Sequence, residues 1–306
     1  MTLQNAIDSF ILDQRLRGNT DKTIHAYKGI LGRLAAWLSA QKIYNVEEME
    51  LAHVQQYQLY IDTKPAERGR NTRLSKKSVQ TYMRHIRSFL SFCYDEELLP
   101  HPIHRRLRLP KAERPTIEIL TDEELELILD TFTKSETGLR NRAIVCLMLD
   151  CGFRLSEVTG IKTDNINFEK GYIKVLGKGR KERIVPIGLK VRRMMMSYIH
   201  KRRVADTPTE DAFFFLAKNR KPITTSTIST LMGRLKKRTG ISRLHAHLFR
   251  HTFATNFLVH GIGDVYELSR ILGHSEMRVT EQYLQLASYY TIIEKRRKLT
   301  YLDMKK

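Results

Sequence analysis

The chain has 306 residues, about twice what one hydrophobic core organises comfortably, so two domains are expected. Hydrophobic residues at 42% and aromatic residues at 8% exclude a disordered chain, while 53 Lys and Arg against 33 Asp and Glu give a formal charge of +20. That excess makes a polyanion the expected partner, because neutralised phosphates release condensed counterions, and nucleic acid is the leading candidate.

Apolar residues recur at three and four from Thr2 to about Glu97, with few Gly and Pro, so residues 1–99 read as an all-helical domain. One helix runs from about Leu3 to Arg17 and is closed by Gly18. A second follows Thr20 with Tyr27, Ile30, Leu31, Leu34 and Leu38 on one face, and a third spans roughly Leu51 to Asp62. After a polar break, Ser75 precedes a fourth helix whose apolar side includes Val79, Met83, Ile86, Phe89 and Leu90. Its Lys76, Lys77, Arg84 and Arg87 form a basic face suited to lying against DNA; a solvated charged face is the competing reading.

Pro100, Pro102, Pro110 and Pro115 are four of the eight prolines and lie among Arg105, Arg106, Arg108, Lys111 and Arg114, which reads as a basic linker over residues 100–118. The second domain, residues 119–306, opens at Thr121-Asp-Glu-Glu124, spaced as a capping box, so those acids have a structural task rather than a metal to hold. An apolar helix covers Arg142 to Leu149. Between Gly171 and Ile187 two short strands flank a glycine-bearing turn, and from Ser226 onward the period is helical again. The expected fold is therefore mostly α, a helical N-terminal domain plus a mainly helical second domain with a small antiparallel sheet.

No apolar run approaches the ~18 residues a membrane span needs, and the N-terminus lacks the build of a signal peptide. Cys93, Cys146 and Cys151 form neither an even disulfide set nor a zinc spacing. These features predict a reduced, cytoplasmic protein.

Residues 170–203 carry twelve cations against Glu182 alone, a pattern that tracks DNA or simply faces solvent. Lys174, Arg180, Lys181 and Arg183 are the DNA-contact candidates there, and Lys178 sits between two glycines at the hairpin tip, where backbone can approach a ligand closely. Arg154, in Gly-Phe-Arg-Leu-Ser-Glu157, offers a planar fork for phosphate oxygens, and Glu157 can hold that fork in place or bury it. Farther along, His247, Arg250 and His251 fall three and four apart on one helix face. Zinc is a weak reading of His247, His251 and the distant His274, since no glutamate of the zinc-protease motif follows His247. His274 follows Gly273 at a helix end, with Ser275 as the expected cap of the next helix, and Tyr283 comes nine residues later. Arginines, histidines, a lysine and a tyrosine without an acidic cluster suit metal-free phosphoryl transfer.

Taken together, Arg154, Lys178 in Gly-Lys-Gly with Glu-Arg-Ile-Val-Pro following, His247 and Arg250 in His-x-x-Arg-His-Thr-Phe-Ala-Thr, His274 in Leu-Gly-His-Ser, and Tyr283 resemble the tyrosine recombinase (phage integrase) family. The likeness is to Xer-type recombinases and the short integrases of mobile elements, and covers nearly the whole chain. Cys151 and Ala246 replace the family's common threonine and proline.

The resemblance implies a core-binding DNA clamp in the first domain and site-specific recombination of double-stranded DNA in the second. Tyr283 attacks a phosphodiester and becomes joined to the 3′ phosphate; a 5′ hydroxyl from the partner duplex reverses the step through a Holliday junction, with no cofactor or metal. A phenol of pKa about 10 needs activation, for which His247 is the candidate base. Arg154, Arg250 and His274 stabilise the transition-state charge, and Lys178 protonates the leaving 5′ oxygen. Glu157 orients Arg154, while His251 packs or hydrogen-bonds within its helix. The family also implies a homo-tetramer on two duplexes, a C-terminal segment passed between subunits, room for accessory proteins, and a place on the nucleoid. Type IB topoisomerase-like nicking and rejoining, or DNA binding without catalysis, are the rival readings.

Overall fold

Hydroxyl side chains start the three longest helices of the N-terminal unit. Thr2, Thr20 and Ser75 accept backbone N–H groups of Asn5, Thr23 and Ser78 and thereby cap α1 (Leu3–Leu16), α2 (Asp21–Ala40) and α4 (Lys76–Asp95). The computed structural model describes residues 1–63, 73–112, 117–176, 182–203 and 213–298, the side chains of 203 and 294–298 excepted. It divides into two compact units, Met1–Pro115 and Thr116–Lys306.

The first unit contains α1, α2, α3 (Leu51–Thr63), α4 and the short α5 (Ile103–Arg106). Its core is built from the expected stripes: Ile30, Leu31, Leu34 and Leu38 of α2 meet Val79, Met83, Ile86, Phe89 and Leu90 of α4, with Phe10 wedged edge-on against Phe89. Ile103 and Leu107 join that core, so part of the proline-rich stretch packs instead of running free. Lys76, Lys77, Arg84 and Arg87 are exposed along α4, with Lys76 paired to Asp62 at 2.6 Å.

The second unit begins with α6 (Asp122–Asp130), whose capping box closes as the spacing predicts. Thr121 Oγ1 accepts from Glu124 N–H, and Glu124 accepts from Thr121 N–H. Arg243 also grips Glu124 through two bonds of 2.7 Å. The apolar helix α7 (Glu136–Cys151) is longer than periodicity suggests, because a Ser135 cap starts it earlier. It is followed by α8 (Leu155–Thr159) and an antiparallel sheet of β1 (Ile166–Asn167), β2 (Tyr172–Leu176) and β3 (Glu182–Pro186), in that spatial order. The two-residue β1 is an addition to the expected hairpin; it is too short to show an alternating pattern. In the β2–β3 pairing Ile173 faces Val185 and Val175 faces Arg183 on the inner side, whereas Lys174 and Ile184 pair on the outer side. Ile184 is therefore 59% exposed despite its apolar side chain.

Helices α9 (Leu189–Arg203), α10 (Thr225–Thr239), α11 (Ala246–Val259), α12 (Val265–Leu272) and α13 (Arg278–Lys298) complete the unit. Ala254 and Phe257 of α11, Leu268 and Leu272 of α12, and Tyr283 and Ala287 of α13 are buried, and all but Ala287 share one small apolar cluster. Helix α13 begins at Arg278, three residues after the expected cap at Ser275; Thr280 and Glu281 N–H bond to the Met277 carbonyl instead. No helix among the described residues is long and apolar enough to cross a membrane.

Candidate active site

Two glycines with left-handed backbone fix the scaffold. Gly152 (φ +65°) ends α7 and Gly273 (φ +64°) ends α12, and each turns a carbonyl toward an arginine. The Gly152 carbonyl accepts from Arg250 Nη1 at 2.6 Å, and the Gly273 carbonyl accepts from Arg154 Nη2 at 3.3 Å. A Cβ on Gly152 would lie 2.5 Å from Phe253 Cδ1 and 2.7 Å from Leu272 Cδ2, so glycine is required by space as well as by φ.

Arg250 is 2% exposed. Besides Gly152 it donates from Nη2 to the Leu272 carbonyl and to His274 Nε2, both at 2.9 Å. These acceptors are all neutral, so they orient the guanidinium without cancelling its charge, and N–H groups remain for a further acceptor. Burial, with Arg154 adding repulsion, pushes Arg250 down to about 10, still a cation at neutral pH.

Arg154 N–H and Nη1 both donate to Glu157 at 2.8 Å. Glu157 also accepts two bonds from Arg183, at 2.9 and 2.8 Å. Burial works to raise the Glu157 carboxyl, but the bonds from Arg183 and Arg154 outweigh it and leave the pKa below its ordinary value. Arg154 and Arg183 share one carboxylate and Arg250 has none, so the three guanidiniums carry two positive charges uncompensated, which favours an anion here.

Arg183 corrects one expectation. It is not a free DNA contact: its side chain is 11% exposed, it is bonded to Glu157, and its Nε donates to the Ile271 carbonyl at 2.7 Å. The reason is register, since residues paired across strands share a face and Val175, its partner, points into the core. Lys174, one residue along β2, is exposed as expected. Lys178, Arg180 and Lys181 lie outside the described residues.

His274 is held at both nitrogens. Nε2 accepts from Arg250, which leaves Nδ1–H to donate to Thr280 Oγ1 at 2.8 Å. Burial, then Arg250 and Arg154, push its pKa down to about 4. Its ring lies parallel to that of Tyr283, with centroids 6.5 Å apart. Tyr283 is 2% exposed, and burial raises its phenol pKa against the opposing pull of Arg250 and Arg154.

The Tyr283 hydroxyl meets His251 Nδ1 at 2.8 Å. His251 thus packs against His247 within its own helix, one of the two expected alternatives, but its hydrogen bond goes to another helix. Burial, then His247, His245 and Arg250, lower its pKa to about 4, so its ring is neutral. His247 is exposed and packs edge-on to His251, with centroids 5.8 Å apart. Five of the six residues in the motif set are therefore linked in one constellation, and His251 and Arg183 join it. With both nitrogens of His274 engaged by Arg250 and Thr280, the zinc reading loses one of its three ligands.

A mainly helical domain with a small sheet thus gathers arginines and histidines near a buried tyrosine. The model of the phage integrase family matches residues 118–289. The chain belongs to this family, the tyrosine recombinases, and is a site-specific recombinase enzyme. It is 30% identical over 275 residues to tyrosine recombinase XerD of Staphylococcus haemolyticus (strain JCSC1435), covering 89% of this chain and 90% of the relative. Tyrosine recombinase XerC of Xylella fastidiosa (strain M23) is 29% identical over 275 residues, covering 90% and 89%. Among solved structures, the Tn1549 transposon integrase in complex with transposon right end DNA superposes with a TM-score of 0.72 at 21% identity, over 98% of this chain and 99% of that one. Its fold is therefore that of a tyrosine recombinase.

Proposed function

We propose that this chain recombines double-stranded DNA by metal-free transesterification through a 3′-phosphotyrosine at Tyr283. The observation that carries the reading is the Tyr283 hydroxyl held on His251 in a buried setting where Arg250 and Arg154 act on the phenol. A phosphodiester is the anion this arrangement suits. In the attack, the Tyr283 oxygen bonds to phosphorus and the 5′ oxygen leaves. Arg154 and Arg250 take the charge that grows on the non-bridging oxygens. His274 acts largely by steadying Arg250, and exposed His247 is suited to the phosphate from the solvent side. Lys178 is assigned the proton for the leaving oxygen by its family position alone.

Phosphotyrosine keeps the energy of the broken bond, so the exchange needs no external energy source. The basic face of α4 and Lys174 supply backbone contacts to the duplex. Assembly as a homo-tetramer on two duplexes fits the apolar residues that α13 leaves uncovered, and the DNA-bound relative is consistent with a duplex substrate. Integration, excision and dimer resolution all share this chemistry.

The test is a plasmid carrying two copies of a duplex selected from a random pool by the protein itself. Recombinant circles are expected. Relaxation of supercoils with no recombinants would favour topoisomerase-like rejoining, and binding without either product would favour a non-catalytic DNA-binding protein.

A further inference from the structure

We infer that His251 is a catalytic residue: its Nδ1 takes the proton of the Tyr283 hydroxyl during strand cleavage and returns it during rejoining. The inference rests on the reading of Tyr283 as nucleophile. Three histidines surround this phenol, and geometry separates them. His274 lies parallel to the ring, but both its nitrogens are engaged, by Arg250 and by Thr280. His247 stands edge-on to His251, one ring farther out, and no bond joins it to the phenol among the described residues. Only His251 has a nitrogen on the hydroxyl, at 2.8 Å, inside the reach a general base needs.

The helix pair explains why. His251 and Thr255 lie four apart on α11, and the same helix buries Ala254 and Phe257 in the cluster that holds Tyr283. Packing of α13 on this cluster fixes the tyrosine ring, which directs its oxygen at the imidazole. The neutral imidazole has a free lone pair at Nδ1 in the tautomer protonated at Nε2, so the phenol donates.

In the free protein the acid–base pair is poorly matched, since His251 is a weak base with a pKa of about 4 and the phenol is raised. Burial is the main cause of the low His251 value and Arg250 a lesser one, so a phosphodiester set against Arg250 would offset only that lesser part, bringing the pair somewhat closer together. The step balances: the Tyr283 oxygen–phosphorus bond forms as the phosphorus–5′ oxygen bond breaks. The phenolic proton passes to His251 Nδ1, and the leaving 5′ oxygen receives one from the general acid.

Rejoining runs in reverse, so His251 must reprotonate the departing phenol unless the leaving group is already a good one. This gives the experiment. His251→Phe and His251→Asn would be assayed for adduct formation on a nicked suicide duplex made from the selected site. The same proteins would then join a 5′-hydroxyl strand to a half-site ending in a 3′-p-nitrophenyl phosphate. That leaving group is stable as an anion and replaces Tyr283.

His251→Phe is expected to form adduct about a hundredfold more slowly or worse, yet to join the p-nitrophenyl strand within a few fold of the parent. His251→Asn, which keeps an oxygen near Nδ1 without its basicity, should show the same loss of adduct formation and the same near-parental p-nitrophenyl joining as His251→Phe. Adduct formation at the parental rate in either variant would overturn the inference. So would equal loss of cleavage and of p-nitrophenyl joining in both, which would make His251 a structural residue. An adduct that persists in Tyr283→Phe would instead overturn the assignment of the nucleophile, a distinct outcome.

Discussion

Arg183 is buried on Glu157, and its replacement distinguishes an ion pair from a DNA contact. If Arg183 contacted a DNA phosphate, Arg183→Ala would lower the salt slope of binding by about one. As a buried partner of Glu157, it should leave that slope unchanged in a gel-shift titration. The variant should instead lose stability, since breaking a buried pair costs about 3 to 5 kcal/mol, and cleavage should fall as Arg154 loses its fixed carboxylate. The histidines give a second prediction. His251 and His274 have ordinary values of 6.5 and folded values of about 4, so the unfolded chain binds their protons more readily. Their contribution is complete above pH 6.5 and is lost as pH falls toward 4. Asp150, raised by burial, acts in the opposite sense nearer its ordinary 3.8. Thermal melts at pH 7 and pH 4.5 should show a lower midpoint at the acid value; an unchanged midpoint would contradict the half-buried, neutral state of both rings. The motif positions are legible in sequence because their residue types and order are distinctive. The partners of Arg183 and His251 are not, because one depends on strand register and the other on how two distant helices pack.

Helices α7 and α12 end at the glycines that aim carbonyls at the arginines. Gly152→Ala should cost at least about 2 kcal/mol, combining a left-handed backbone with overlap against Phe253 and Leu272. Because the Gly152 carbonyl anchors Arg250, adduct formation should fall too; a variant with parental melting and cleavage would remove this role. At the C-terminus, Ala287 is buried, while Leu284, Tyr289, Ile292 and Ile293 are 42–62% exposed. An apolar set left exposed among the described residues suits exchange with a neighbouring subunit. Truncation after Ala287 should therefore leave single-site binding mostly intact but weaken two-site synapsis in a gel-shift assay, and a truncated chain that pairs sites normally would exclude the exchange. Helix stripes, caps and the hairpin can be read from periodicity and turn residues. The start of α13 cannot, because Ser275 has cap chemistry but the chain enters the helix only after Met277.

For the whole molecule, the charge of +20 and the buried cationic site combine long-range attraction with local chemistry. DNA affinity should fall steeply with salt, with a slope of about −0.9 per phosphate contact in log–log form. The division into a helical unit and a mainly helical unit with a small sheet follows from the shift in periodicity beyond the prolines, whereas the packing of Ile103 and Leu107 into the first core does not, since a proline-rich stretch carries no helical stripe. The central claim is that Tyr283 cleaves DNA with charge supplied by side chains, and adduct formation on a nicked suicide duplex in EDTA, followed by mass spectrometry of the DNA-linked peptide, tests it most directly. The account predicts a full yield of adduct at Tyr283 and none in Tyr283→Phe, whereas strict dependence on added magnesium, or an adduct at Tyr289 or Tyr290, would contradict it.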